Sequence, residues 1–147
     1  MKRYSGEITI ARPPEVVFDF FADMARMPEW APEDFVSVKR EGDGPIGKGT
    51  FFSFVTNGAN AISRFGWDTF ERPGELKFSG PRVNVGPGWV EGLGGYKLSV
   101  APGGTLVHAW YEPTLGGFLA LMSPFARMRN IRILGKQLER AKALIER

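Results

Sequence analysis

Residues 12–30 read RPPEVVFDFFADMARMPEW, a stretch that holds three prolines and a dense apolar run. Pro13 and Pro14 have a fixed φ and no N–H, features a helix tolerates in its first turn. Glu15 follows at the positive end of the helix dipole. At about 100° per residue, Glu15, Asp19 and Asp23 gather on one side, while Val16, Val17, Phe18, Phe20 and Phe21 sweep about 200° of the rest. A helix this apolar must be enclosed over most of its circumference. Pro28 prevents a smooth continuation, and Trp30 stands just past the break. The stretch therefore predicts two short helices and an extensive surface for them to pack against.

That surface is read on either side. Before it, KRYSGEITIA (2–11) alternates around Ile8 and Ile10 as a strand does. After it, strand and turn signals run to about residue 113: FVSVKR, the glycine-rich reversal EGDGPIGKG, TFFSFVTN, the reversal GAN, AISRFGWDTFE, the turn RPG and ELKFS. GPRVNVGPGWVEGLGG is too rich in glycine for an assignment from sequence. YKLSV and TLVHAWYE then flank APGG as a hairpin. Short spacers with no helical pattern between the strands imply an antiparallel meander and not βαβ units. The last segment is helical. Ser123-Pro124 reads as an N-cap with proline at the first helical position, and Phe125, Met128, Ile131, Leu134, Leu138, Ala141 and Ile145 recur every three or four residues. Arg129, Arg132, Lys136 and Arg140 form a basic face elsewhere on the same helix. The order is strand, short helices, about six strands, long helix. It describes an α+β domain in which the early helices close one end of a curved sheet and the late helix covers its face.

Length and composition fit this picture. The 147 residues suit a single domain, 1–147, large enough to fold without a disulfide or metal staple. The absence of cysteine excludes a disulfide scaffold, thiolate nucleophiles and thiolate-bound metals. With one histidine, a metal would need carboxylates; Glu29, Glu33 and Asp34 are close in sequence but read as a solvated loop, so neither a metal nor a cofactor is expected. The opening MKRYSGEITIARPPE reaches Glu7 before any long apolar run, which predicts no signal peptide. GGFLALMSPF (116–125) is about half the roughly 20 residues that span a bilayer, so the expectation is a soluble, cytoplasmic protein. The net charge of +3 is uneven: Arg127–Arg147 holds seven Lys/Arg against Glu139 and Glu146, leaving the remainder slightly acidic.

Familiar motifs fail on inspection. GDGPIGK (42–48) has the spacing of a phosphate loop, but Gly49 replaces the Ser or Thr and a strand follows where a helix is required, so it reads as a hairpin loop. GPGWVEG opens no helix and is no dinucleotide fingerprint. No G-x-S-x-G elbow is present. The basic helix face lacks interleaved aromatics, so no nucleic-acid partner is expected; a solvated face comes first, an anionic membrane surface second.

Taken together, ITIARPPEVVFDFFADMARMPEW (8–30), GPIGKGT (44–50), FERPGELKF (70–78), GGYKLSVAPGGTLVHAWYEP (94–113) and the terminal LERAKALIER resemble the START-like (SRPBCC) superfamily, in particular its polyketide cyclase/dehydrase-like branch. The resemblance spans the whole chain and implies a helix-grip fold: a curved antiparallel sheet of about seven strands around a long C-terminal helix, with two short helices after the first strand. It also implies a cavity between sheet and helix for an apolar or aromatic small molecule, polyketide- or lipid-like. The abundance of Phe (12), Trp (4) and Met (5) is consistent with such a cavity. The expected wall is Trp30, Phe52, Phe54, Trp67, Tyr96, Tyr111, Phe118, Met122, Phe125 and Met128. In the family pattern the threonine after the glycine turn begins the inward set, which puts Tyr111 inside and His108 outside. Leu106, His108 and Trp110 would then offer a partner surface, such as one for a homodimer.

Three functions stay open. The first is a binder held by burial of apolar ligand surface and oriented by a few polar groups. The second is a cofactor-independent cyclase or dehydratase in which Tyr111, Tyr96, Arg64 or His108 donates to an oxyanion or moves a proton. For Arg64, as for Arg82, a solvated place on the outer face is the first reading. The third is a lipid or quinone carrier that meets membranes through the basic helix and GGFLALMSPF.

Overall fold

The computed structural model describes residues 3–59 and 61–147. Asn60, the end of the GAN reversal, and Lys2, at the start of the first strand segment, lie outside the described residues. Strand β1 (Tyr4–Ile10) leads to helix α1 (Pro14–Ala22), a 3₁₀ turn (Met24–Arg26) and the one-turn helix α2 (Met27–Trp30). Strands β2 (Phe35–Arg40), β3 (Phe51–Thr56), β4 (Ser63–Glu71), β5 (Glu75–Val85), β6 (Gly88–Ala101) and β7 (Gly104–Gly117) follow. A 3₁₀ turn (Phe118–Met122) then precedes helix α3 (Ser123–Ile145). The strands form one seven-stranded sheet in the order β1-β7-β6-β5-β4-β3-β2, with every neighbouring pair antiparallel. This is the α+β helix-grip architecture.

The apolar faces of α1 and α2 close one end of the sheet. Val17, Phe18, Phe20 and Phe21 are buried, as is Trp30. The Phe21 ring stacks on Tyr96 of β6 at 4.8 Å, and Trp30 meets Phe21 edge-on at 5.4 Å. The Trp67 indole N–H donates to the Ala22 carbonyl at 3.0 Å, pinning the end of α1 to β4. Asp23 accepts from the Ala25 N–H and so caps the turn that redirects the chain after α1.

Three details differ from the sequence reading. Ser123 has helical dihedrals and is the first residue of α3, with Met122 in the capping position. The glycine-rich segment left unassigned is the far half of the β5–β6 hairpin, in which Val85 pairs with Gly88. Its glycines suit close packing: a Cβ at Gly94 would lie 2.6 Å from the Phe78 ring and 2.8 Å from Tyr111. The third concerns the apolar stripe of α3. Each step of three residues turns a helix about 60° short of a full revolution, so three steps carry Phe125 to the side opposite Leu134. Leu134, Gln137, Leu138, Ala141 and Ile145 are buried, whereas Phe125, Met128 and Ile131 are exposed. Leu134 and Leu138 ride over Gly6 of β1, where a Cβ would stand 3.3–3.4 Å from their methyls. Among the described residues no helix is long and apolar enough to cross a membrane.

Candidate functional site

A cavity of about 210 Å³ opens between the concave face of the sheet, the segment from Met27 to Phe35 and the middle of α3. Its floor follows from the period-two alternation of the strands. Phe54 and Thr56 come from β3, Phe65 from β4, Phe78 and Val83 from β5, Val90 from β6 and Tyr111 from β7. The register of β5 against β6 shifts between Gly80 and Val83, which bends β5 at the cavity wall. Phe35 lies parallel to Phe65 at 6.3 Å, and Phe54 meets Phe65 edge-on at 4.6 Å, so one wall is a continuous aromatic surface.

Polar groups also line the cavity: Tyr4 of β1, Asp34, Tyr111, and Asn130 and Gln137 of α3. The buried Gln137 donates to Asp34 Oδ2 at 2.9 Å. Arg140 clamps the neighbouring Glu33 with two bonds of 2.8 and 2.7 Å and reaches the Trp30 carbonyl at 3.3 Å. The two adjacent carboxylates thereby acquire different characters. The Arg140 hydrogen bonds hold the Glu33 carboxyl down to about 2. Crowding by protein pushes the Asp34 carboxyl up, against the opposing Gln137 bond, although solvent reaches Asp34 from the open side. The Tyr111 and Tyr96 hydroxyls are 2.7 Å apart. Burial drives both phenols above their ordinary range, and Tyr4 likewise, so all three are protonated hydrogen-bonding groups at neutral pH. Two further buried polar atoms of the lining, Trp30 Nε1 and Thr56 Oγ1, have no partner among the described residues.

Of the ten residues expected to form the wall, Trp30, Phe54 and Tyr111 line this cavity. Tyr96 is fully buried behind Tyr111 and touches the site through its hydroxyl. Phe52 and Trp67 are packed into the core, with the Trp67 N–H already bonded to Ala22. Phe118, Met122, Phe125 and Met128 are exposed and do not line it. The rotation of the helical stripe described above accounts for Phe125 and Met128; Phe118 and Met122 belong to the exposed 3₁₀ turn before α3. Two of the four catalytic candidates sit on the outer face of the sheet. Arg64 is ion-paired with Glu41 and stacked on Phe51, and His108 is paired with Glu7 at 3.0 Å. Arg82 also lies outside, between Glu91 and Trp89. Trp110 is covered by the Arg3 guanidinium at 4.0 Å.

Asp34, Gln137, Asn130 and Tyr4 were not among the expected site residues, and Glu33–Asp34 is no free solvated loop. One signal was present. Gln137 sits between Leu134 and Leu138 on the arc that faces the sheet, where a polar side chain needs a partner.

Among solved structures, a conserved protein from Geobacillus kaustophilus superposes with a TM-score of 0.76 at 15% identity, over 97% of this chain and 94% of that one. Protein CV1439 from Chromobacterium violaceum superposes with a TM-score of 0.63 at 14% identity, over 99% and 98% of the two chains. The di-domain ARO/CYC StfQ of the steffimycin biosynthetic pathway gives 0.67 at 15% identity; 98% of this chain covers 50% of StfQ, so the chain spans half of that protein. These likenesses establish the shared fold. A search of curated proteins found no match. The sequence itself matches, over residues 1–146, the family described as polyketide cyclase / dehydrase and lipid transport. With a helix-grip fold and a match along nearly its whole length, the chain belongs to the polyketide cyclase/dehydrase and lipid transport family.

Proposed function

We propose that the protein binds an oxygen-bearing apolar small molecule, aromatic or polyketide-like, in the cavity between the sheet and α3. One observation carries this reading: the aromatic rings of Phe35, Phe54, Phe65 and Phe78 line a single cavity together with the polar side chains of Tyr4, Asp34, Tyr111 and Gln137. Such a site takes up apolar surface at about 25 cal/mol per Å² and orients the ligand by a few hydrogen bonds. Its size constrains the ligand. A protein cavity of roughly 150 Å³ accepts benzene, so about 210 Å³ suits a substituted ring or a fused pair. Native mass spectrometry of the purified protein before and after organic extraction, with titration of 2-naphthol followed by its fluorescence, tests the reading. A retained small molecule or saturable 2-naphthol binding supports it, and the absence of both overturns it.

A second reading, delivery of the ligand at an anionic lipid surface, is favoured by the start of α3 and the turn before it. Leu121, Phe125 and Met128 are 73%, 71% and 69% exposed, and Arg129, Arg132 and Lys136 follow on the same helix. Apolar groups that insert beside cations that meet headgroups are the chemistry of an interfacial helix. Sedimentation with phosphatidylserine-containing vesicles, weakened by salt and by Phe125→Glu, supports this reading. Equal failure to bind anionic and neutral vesicles removes it.

A further inference from the structure

The charge of the cavity lining runs against that of the protein. The chain carries 19 Lys and Arg against 16 Asp and Glu, a net +3. Among the described residues none of those cations lines the cavity, and its charged side chains are Asp34 and Glu91. Glu91 is paired with Arg82. Asp34 has no ion pair among the described residues: Arg140 engages the neighbouring Glu33, and Asp34 is held by the neutral amide of Gln137 at 2.9 Å. A lining of this sign repels carboxylates, phosphates and other anions, and it attracts a cation.

The surroundings of Asp34 suit an organic ammonium group. Aromatic faces attract such a cation through the ring quadrupole, and Tyr4, Phe35, Phe54, Phe65 and Tyr111 share the lining with Asp34. The charge of Asp34 is felt among them. Burial comes first in raising the phenols of Tyr4, Tyr96 and Tyr111, and the Asp34 carboxylate adds to it in each. Gln137 supplies a further acceptor. The two bonds it makes, to Asp34 and at 3.5 Å to Glu33, are both donated by its amide nitrogen, which leaves the amide oxygen for an N–H donor. Crowding by protein raises the Asp34 carboxyl against the Gln137 bond, and the repulsion of Glu33 adds to it against the attraction of Arg129. A bound cation offsets this by favouring the ionised form. Solvent also reaches Asp34, so an ammonium group seated there keeps part of its hydration and is less costly to hold. A single free carboxylate among rings lacks the several oxygen ligands that a calcium or magnesium ion takes.

Resting on the reading that the cavity holds an apolar small molecule, we propose that its occupants are one- or two-ring amines whose ammonium group pairs with Asp34. The rings fill the aromatic part of the lining. One N–H of the ammonium group bonds the Asp34 carboxylate, and another bonds the Gln137 amide oxygen. Tyr111 and Trp30 remain as donors to an oxygen on the same ligand. The Tyr111 hydroxyl is held by that of Tyr96 at 2.7 Å, and the Trp30 N–H, on a ring that is 1% exposed, has no acceptor. Asp34 is then the residue that sorts ligands of one shape by their charge, since an anion in its place is repelled and a neutral group gains no ion pair.

The experiment compares three ligands of one ring system that differ chiefly in charge at neutral pH: 2-aminotetralin, a cation; 2-tetralol, neutral; and tetralin-2-carboxylate, an anion. Calorimetric titration of the wild type is expected to rank them in that order, with the cation bound about 10-fold more tightly than the alcohol. Asp34→Asn keeps an acceptor for Gln137 and is expected to retain its melting temperature and 2-tetralol binding while losing the preference for the cation. Asp34→Ser provides a second variant with the same expected loss. Equal affinity of the wild type for cation and alcohol, or tighter binding of the alcohol or the anion, overturns the proposal and leaves the binding reading intact. Binding of 2-naphthol with no binding of 2-aminotetralin does the same. A preference for the cation that persists in a folded Asp34 variant also overturns it. Absence of binding of all three and of 2-naphthol, with no small molecule retained on purification, overturns both.

Discussion

At the scale of single residues, adjacent acidic side chains have been given different roles by what α3 presents to them. Glu33 meets the Arg140 guanidinium and Asp34 meets the Gln137 amide, three residues apart on one helix face. The Glu33 carboxyl is depressed from 4.5 to about 2 on folding, so the pair stabilises the native state above the unfolded value. That contribution is lost as the pH falls from about 4.5 towards 2. Arg140 is 38% exposed, so solvent screening reduces the effect to about 1 kcal/mol. Urea denaturation of Glu33→Gln should show this deficit at pH 7 and a vanishing difference from the wild type near pH 2. The two tyrosines provide a second test. Tyr111→Phe removes the partner of a fully buried hydroxyl and is expected to cost about 1–3 kcal/mol by thermal melting. The Tyr96→Phe/Tyr111→Phe double variant, which leaves no orphaned phenol, should recover part of that loss.

At the scale of elements, β6 and α3 set the shape of the cavity. β6 is flat at Gly94, which lets the Phe78 and Tyr111 rings lie against it. Gly94→Val would drive a side chain into both rings and is expected to destabilise the protein by about 1–3 kcal/mol. It should also lower the affinity for 2-naphthol in a fluorescence titration, because Tyr111 lines the cavity. α3 behaves as two segments. From Leu134 onward it is packed on the sheet, while Phe125 and Met128 face solvent. The Phe125→Glu/Met128→Glu variant should therefore change stability by less than about 0.5 kcal/mol, yet abolish sedimentation with anionic vesicles. A large fall in melting temperature would instead show that these residues have a packing role.

At the scale of the whole molecule, a ligand that occupies the cavity joins elements from both ends of the chain, since Tyr4, Asp34, Tyr111 and Gln137 meet there. Binding to the native state alone stabilises it by about 2.7 kcal/mol at a ligand concentration of 100 times Kd. Calorimetry with saturating 2-naphthol should thus raise the melting temperature by several degrees, whereas an unchanged Tm at that concentration would contradict binding at a native-state site. The sequence alone determined the order of elements, because proline spacing, strand alternation and glycine turns are local signals written over a few residues. RPPEVVFDFFADMARMPEW was legible as two enclosed short helices for that reason, whereas the orientation of Tyr111 and His108 followed from the family resemblance and not from the residues of the strand, both of whose faces carry large side chains. The membership of the cavity was not local. A drift of about 60° per three-residue step moved Phe125 and Met128 off the packed face. Asp34 took its environment from Gln137, 103 positions away. Which side chains share the cavity was decided only when sheet curvature, helix rotation and long-range hydrogen bonds were satisfied together.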